Sequence, residues 1–236
     1  MMKKTILSTL ATAALLAISS QAEEWKNSFD LGATLTKGNS DSLLLTAGFT
    51  TEKIEKIDEY RGSLFYTYGE ENDSATNDEL LGSAAWRHLY SDRFYAGPRF
   101  DFRRDDIADI QYRAALTGVL GYYVIKDEKT SLSLEAGLGY TFEEQGAVSN
   151  DYAHAYVGEF FEYKLSEKTK IYQSFGIILP IEDTDDYQIV AELGLETELT
   201  GSLSLKIYAQ DQYDAQPAAG KDENDFKVIT GISYKF

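Results

Sequence analysis

Apolar and polar positions alternate with a period of two through most of the chain. In the last segment one side carries Phe226, Val228, Thr230, Ile232, Tyr234 and Phe236, and the other carries Lys227, Ile229, Gly231, Ser233 and Lys235. Such alternation is typical of a β-strand whose two faces meet different environments. The composition agrees, because 17 Tyr, 12 Phe and 18 Gly against 3 Pro favour strands. We therefore predict an all-β protein.

Twelve alternating segments follow one another, separated by polar turns. They cover residues 25–37, 42–53, 59–70, 79–90, 93–104, 110–125, 130–143, 152–165, 169–180, 187–199, 202–213 and 225–236. One strand and its turn take about 18 residues, whereas soluble sandwiches repeat about every 8–12 residues. A strand tilted across a bilayer needs about 9–11 residues in the hydrocarbon alone. The spacing thus predicts a single transmembrane, antiparallel, up-and-down β-barrel of about 12 strands.

The connections between these segments fall into two classes that alternate along the chain. One class is short: "IEKID", "SD", "KDEK", "SEK" and "TGS". The other is longer on average and acidic: "ENDSATND", "RRDDIAD", "EEQGAVSND", "IEDTDD" and "DAQPAAGKDEN". Bacterial outer-membrane barrels have short periplasmic turns and longer outer loops. We expect the same here, whereas a soluble barrel or sandwich with its apolar face inward would explain the alternation but not this asymmetry.

The amino-terminal residues predict export. A basic head, an apolar run over residues 6–18 and a small-residue end indicate a signal peptide over residues 1–22. We expect cleavage between Ala22 and Glu23, which leaves residues 23–236 as the barrel domain. The apolar run is shorter than the about 20 residues of a spanning helix. The chain has no cysteine, which excludes disulfides and thiolate chemistry.

The charge balance limits the possible partners. The formal net charge is −17, so we expect no nucleic-acid partner. Outer-membrane lipid and lipopolysaccharide are the expected surroundings. The acidic stretches "EDTDD" and "DENDF" do not match a calcium-binding loop, and solvated surface charge explains them better than divalent bridging to lipopolysaccharide phosphates. We predict no cofactor and no metal site, and the sequence does not specify an oligomeric state.

The inward positions of a barrel with this parity carry charge of both signs. We expect the lumen to be lined by Arg99, Asp101, Arg103, Arg113, Glu135, Glu192 and Glu196. Arginines on strands five and six would then face glutamates on strand ten. Eight strands leave a lumen just filled by side chains and sixteen leave an aqueous channel, so twelve allows either a narrow pore or a lumen closed by salt bridges. Many inward Gly, Ser and Thr residues favour the pore.

The two histidines are weak candidates for catalysis. His88 has the parity of a lipid-facing girdle residue, and we interpret His154 as a solvent-exposed residue at the rim. Asp151 lies three residues before His154, and such a pair could activate a nucleophile, but no nucleophile-elbow motif is present. The chain is therefore not predicted to be an enzyme. Strand eight is ambiguous, because Glu159 falls on one face and His154 and Glu162 on the other.

Three stretches carry a family resemblance: "WKNSFDLGATLTKGNSDSLLLTAGF", "RFYAGPRFDFRRDDIADIQYRAALTGVLGYYV" and "SLSLEAGLGYTFE". They resemble a family of Gram-negative outer-membrane proteins of unknown function, often labelled as salt-induced. The resemblance implies an outer-membrane barrel and supplies no catalytic or ligand residues. The last strand also resembles that of outer-membrane barrels generally, whose terminal aromatic residue is read by the barrel assembly machinery. Phe236, with Tyr234 behind it, is thus the expected assembly signal.

These observations give three functional hypotheses for a protein of the bacterial outer membrane. The first is a passive, narrow channel for small charged or hydrophilic solutes. The second is a closed structural barrel that supports envelope integrity under salt or acid stress. An outer-membrane hydrolase is a distant third.

Overall fold

The computed structural model describes residues 25–36, 42–146 and 148–236. The predicted signal peptide and its cleavage site between Ala22 and Glu23 lie outside these residues. Within them, no helix is long and apolar enough to cross a membrane.

The described residues form twelve strands, as the alternation predicts. They are β1 (Lys26–Thr36), β2 (Ser42–Ile54), β3 (Asp58–Glu71), β4 (Ser74–Leu89), β5 (Phe94–Asp105), β6 (Ile110–Lys126), β7 (Thr130–Gln145), β8 (Val148–Lys164), β9 (Thr169–Pro180), β10 (Gln188–Thr200), β11 (Leu203–Asp214) and β12 (Asn224–Lys235). Each strand pairs with its neighbours in the chain, and β12 pairs antiparallel with β1. The prediction of a closed, antiparallel twelve-strand barrel is confirmed.

The barrel closes at a short seam between the first and last strands. Register runs from Ser28 opposite Lys235 to Gly32 opposite Gly231. Beyond it, the amide of Asn27 donates to the Phe236 carbonyl at 3.2 Å, and the Phe236 amide donates to the Asn27 carbonyl at 3.0 Å. Closure gives these segments of β1 and β12 a partner, where an open sheet would leave both as free edges. Asn27 and Phe236 lie at the same end of the barrel as the short turns, and we call this end the inner end. The opposite end is the outer end.

The outer surface of the barrel is apolar and the inner surface is polar. Leu31, Leu116, Leu138 and Leu193 point outward and are each more than half exposed. The fully buried side chains on the inside include Thr117, Ser133, Thr141, Ser204 and Ser233. A soluble barrel has the reverse arrangement, whereas a lipid-facing band of leucines is typical of membrane barrels. Aromatic pairs at both ends complete the pattern, with Tyr60 stacked on Trp86 and Tyr187 on Tyr213.

Two of the expected outer loops are instead tight hairpins. The stretch "ENDSATND" continues β3 and β4 up to the pair Glu71 and Ser74, which leaves only Asn72 and Asp73 in the turn. Both adopt positive φ, 48° and 65°, a conformation that Asn and Asp tolerate and that suits a two-residue hairpin. β7 and β8 likewise continue to the pair Gln145 and Val148. The longer connections of the outer end are residues 181–187 and 215–223.

Candidate functional site in the lumen

All seven residues predicted to line the lumen lie on the inner wall. They are Arg99, Asp101 and Arg103 on β5, Arg113 on β6, Glu135 on β7, and Glu192 and Glu196 on β10. The register places them in alternation with outward residues, as the parity requires. Their partners are mostly residues that the sequence reasoning did not single out.

Charged side chains meet across the outer end of the lumen. We define the outer ion-pair layer as Glu79, Arg103, Asp105, Arg113, Glu143, Gln212, Asp214, Asp225 and Lys227. Arg113 on β6 pairs with Glu143 on the adjacent β7 and donates to Asp214 Oδ2 at 2.8 Å. Asp214 belongs to β11, and β7–β10 intervene between that strand and β6. The Arg113–Asp214 pair therefore bridges nearly opposite walls.

Glu79 on β4 is the second bridging point of the layer. Its carboxylate is only 2% exposed and pairs with Arg103 Nε at 3.1 Å and with Lys227 of β12. Gln212 of β11 also donates to Glu79, at 3.3 Å. Arg103 in turn reaches Asp225 of β12 at 3.4 Å. Contacts from β4 and β5 to β11 and β12 thus cross the lumen at the same level as the Arg113 pair.

A second charged cluster lies towards the inner end on one side of the barrel. Arg87 is 5% exposed, and its Nη2 lies 2.7 Å from Glu135 Oε1 and its Nη1 3.8 Å from Glu59 Oε2. Tyr95 donates to Glu135 at 2.8 Å, and Tyr123 donates to Glu59. The guanidinium also lies over the Tyr95 ring, 4.8 Å from its centroid. Arg87 is thereby held by groups from β3, β5, β6 and β7.

The predicted opposition of an arginine wall and a glutamate wall does not describe how these charges pair. Arg99 makes two hydrogen bonds, at 2.6 and 2.7 Å, to Asp101 on its own strand. Glu196 pairs with Lys235 at 2.5 Å and lies 3.7 Å from Lys170. Glu192 accepts a hydrogen bond from Gln210 of β11. Arg99 and Glu196 thus pair with charges on their own or nearby strands, because a charge pairs with the first opposite charge that it can reach, and Glu192 has an uncharged partner.

Inward glycines do not leave the lumen as open as the sequence indicated. Aromatic rings lie on the inner wall directly over four of them: Phe65 over Gly48, Tyr95 over Gly121, Tyr156 over Gly158 and Tyr172 over Gly194. A Cβ added at any of these positions would come within 2.2 Å of the aromatic side chain. These four glycines therefore provide room for large neighbours, and they do not by themselves support the narrow pore.

His154 is buried, which corrects the expectation of an exposed rim residue. The ring is 0% exposed, with Nε2 at 2.9 Å from the Thr117 hydroxyl and Nδ1 at 2.8 Å from the Thr141 hydroxyl. Its burial follows from the filled outer part of the lumen. Asp151 has the opposite parity and is exposed, so it does not pair with His154.

The register also resolves the ambiguous strand. His154 and Glu162 of β8 point inward, Glu162 pairing with Lys170 at 2.8 Å, and Glu159 points outward. His88 lies on the outer surface, 3.0 Å from Asp58. Among the described residues, no group of three or more His, Asp and Glu side chains is placed to hold a metal ion.

Three solved structures that match this fold are outer-membrane barrels. The NanC porin matches with a TM-score of 0.56 at 9% identity, covering 88% of this chain and 100% of the porin. The translocator domain of the autotransporter NalP from Neisseria meningitidis matches with a TM-score of 0.53 at 15% identity, covering 99% and 96% of the two chains. An outer-membrane channel from Pseudomonas putida F1 matches with a TM-score of 0.52 at 9% identity, covering 92% and 99%.

Sequence comparison gives a family without a defined activity. No curated protein matches the chain. The family model described as "Protein of unknown function, DUF481" matches residues 29–236, which is nearly all of the predicted barrel domain. The resemblance found in the sequence is thereby confirmed. The chain belongs to the DUF481 family of proteins of unknown function.

Proposed function

We propose that the protein is a narrow channel of the bacterial outer membrane, closed at rest by the outer ion-pair layer. When the layer opens, small charged or hydrophilic solutes cross passively. The observation that carries the proposal is the bridge from Arg113 on β6 to Asp214 on β11, which joins nearly opposite walls through buried charges.

The chemistry of the layer favours a gate over a permanent plug. Replacing a buried ion pair by apolar side chains of similar volume is often neutral or stabilises a protein by about 1–4 kcal/mol. A barrel that always stays closed could therefore be filled with apolar residues. Charged side chains are suited to both states, because they pair with one another when the lumen is closed and are hydrated when water enters.

Charges of both signs along the path define the solute class. Below the layer the wall carries the Arg99–Asp101 pair, the Lys206–Asp30 pair at 2.6 Å, and Glu192. Such groups attract and order polar solutes and ions, and charged rings filter ions in other pores. Mixed sign within a narrow lumen supports small hydrophilic solutes over long or apolar ones.

Selectivity measurements test whether the path runs through this wall. We expect Arg99→Gln to shift the reversal potential under a salt gradient toward cations, and Glu192→Gln to shift it toward anions. Both changes are made in an Arg113→Leu background, which removes the bridge between β6 and β11. His88→Gln, on the outer surface, is the matched control and should leave the reversal potential unchanged. Equal potentials for all of these variants would contradict a path lined by Arg99 and Glu192.

A closed structural barrel is the second candidate, and the same bridging contacts favour it. In that case the charges hold the walls together and support the envelope, and variants of the layer lose stability without gaining conductance. We infer no catalytic role, since His154 is engaged by two threonine hydroxyls and the three solved barrels described above are a porin, a channel and a translocator domain.

Lipid and the assembly machinery are the proposed partners of the outer surface. The band of exposed leucines suits lipid acyl chains, with lipopolysaccharide beside the outer end. Phe236 stacks on Phe29 with a centroid distance of 5.4 Å and on Tyr234 at 6.1 Å. The terminal ring therefore completes the aromatic surface of the seam, which supports its role as the signal that the assembly machinery reads.

A further inference from the structure

A polar pair lies on the lipid-facing surface of β8 and β9. Glu159 points outward, and Gln173 Nε2 donates to its Oε2 at 2.9 Å. The outward residues around the pair are apolar: Leu134, Val157, Phe161, Ile171 and Phe175. A carboxylate among such residues is unusual on a surface that faces hydrocarbon, and an ionisable group in this position indicates a functional contact.

The register shows how deep Glu159 lies. One row of directly opposed outward residues runs around the barrel: Phe94, Tyr122, Leu134, Glu159, Phe175, Ala191, Asp211 and Phe226. The row begins at the inner end, at the first residue of β5, and finishes near the outer end of β12. With strands about 4.8 Å apart and tilted about 40°, it rises about 3 Å per strand. Glu159, three steps along, is thus about 9 Å above the inner rim and about 12 Å below the outer one.

Gln173 lies at nearly the same depth as Glu159. It is opposed to Phe161, which is two residues closer to the inner end than Glu159 and therefore about 5 Å lower. The step from β8 to β9 raises it again by about 3 Å. The two polar side chains are consequently side by side, at about the same height in the membrane.

We propose that this patch, formed by Glu159, Phe161, Gln173 and Phe175, is the contact surface for a second copy of the chain. Two copies inserted in the same direction are related by a two-fold axis along the membrane normal, and this axis preserves depth. Because Glu159 and Gln173 lie at about the same depth, the axis brings Glu159 against the partner's Gln173 and Gln173 against the partner's Glu159. The patch is therefore complementary to itself in charge and in hydrogen bonding.

The hydrogen-bonding capacity of the pair supports a protein partner over lipid. The Gln173 amide has two N–H donors and uses one, and the Glu159 carboxylate has two oxygens and several acceptor sites. Acyl chains offer no donor for the remaining sites, whereas a second copy offers the matching amide. Ala153 and Ala155 lie further along the same face of β8, and their small side chains allow a second copy to approach the backbone closely.

Cross-linking in native membranes tests the interface, because the chain has no cysteine of its own. Val157→Cys places one thiol beside Glu159, and Leu31→Cys places a matched exposed thiol on β1, away from the patch. We expect a short bis-maleimide to give cross-linked dimers with Val157→Cys and monomers with Leu31→Cys. Adding Glu159→Leu and Gln173→Leu to Val157→Cys should lower the dimer fraction at least tenfold, and Glu159→Gln, which keeps an acceptor oxygen, should preserve it.

Only folded protein, identified by its heat-dependent gel mobility, is scored, so that misassembly does not count as dissociation. Equal cross-linking of Val157→Cys and Leu31→Cys would overturn the proposal. So would cross-linking of Val157→Cys to a different protein, or to lipid-sized adducts alone. The result is independent of conductance, since the patch lies outside the lumen.

Discussion

Replacing Arg113 by leucine should destabilise the barrel strongly. Arg113 is 9% exposed and is shared by Glu143 and Asp214, which are 4% and 6% exposed. Without the guanidinium both carboxylates stay buried and unpaired, and removing one partner of a buried ion pair costs about 3–5 kcal/mol. We expect a loss of that size in the free energy of unfolding, measured by urea titration of barrels in lipid vesicles and scored by gel mobility.

The neighbouring Arg104 provides a matched control. It forms an ion pair of 2.6 Å with Asp106, but the two side chains are 52% and 45% exposed. Arg104→Leu should therefore cost only about 0–1 kcal/mol. The triple variant Arg113→Leu, Glu143→Leu, Asp214→Leu removes the charges together and should recover most of the loss. If Arg113→Leu cost no more than Arg104→Leu, the bridging role of the outer ion-pair layer would be refuted.

Three further predictions concern the ends of the barrel. Burial and neighbouring carboxylates raise the pKa of Asp186, in an outer loop, from 3.8 to about 6, so its ionised form opposes folding; stability should fall as the pH rises from about 4 through about 6. Asp186→Asn should remove that fall in unfolding titrations, and an unchanged pH dependence would contradict the assignment. Deleting Phe236, which contacts Phe29, should reduce the amount of folded barrel in outer-membrane fractions, and undiminished assembly would show that the terminal ring is not read. Epitope tags within residues 215–223 should bind antibody on intact cells and tags within 165–168 should not, and the reverse pattern would mean that the barrel is inserted the other way.

The strands were predictable because the outward face is largely apolar and the inward face largely polar. Large apolar residues such as Leu31 and Leu138 mark the outward face of their strands. The residues next to them in each strand mark the inward face, because they are small or polar. The hairpin at Asn72 and Asp73 was not predictable in the same way. At the hairpin, Glu71 and the residues 74–76 are exposed whichever face they lie on, so the strands continue on backbone hydrogen bonds and show no alternation.

Partners across the lumen could not be predicted from parity. Parity assigns Arg113 to the inner wall but leaves open which of the other walls it reaches, and Asp214 is 101 residues away in the chain. The burial of His154 has the same origin, because it depends on side chains from β6 and β7 that fill the lumen around it. Glu79, Glu143 and Asp214 could have been found in the sequence, because each has the parity of a lumen-facing residue and lies near the outer end of its strand, β4, β7 or β11.

Single-channel recording of the wild-type protein in planar bilayers tests the central claim most directly. A channel closed by the outer ion-pair layer should insert and stay mostly silent, with brief openings, and Arg113→Leu should open it for most of the recording. Sustained conductance of the wild type would show that the layer does not close the lumen. Inserted, folded protein that shows no conductance steps in either form would contradict the channel and leave the closed structural barrel.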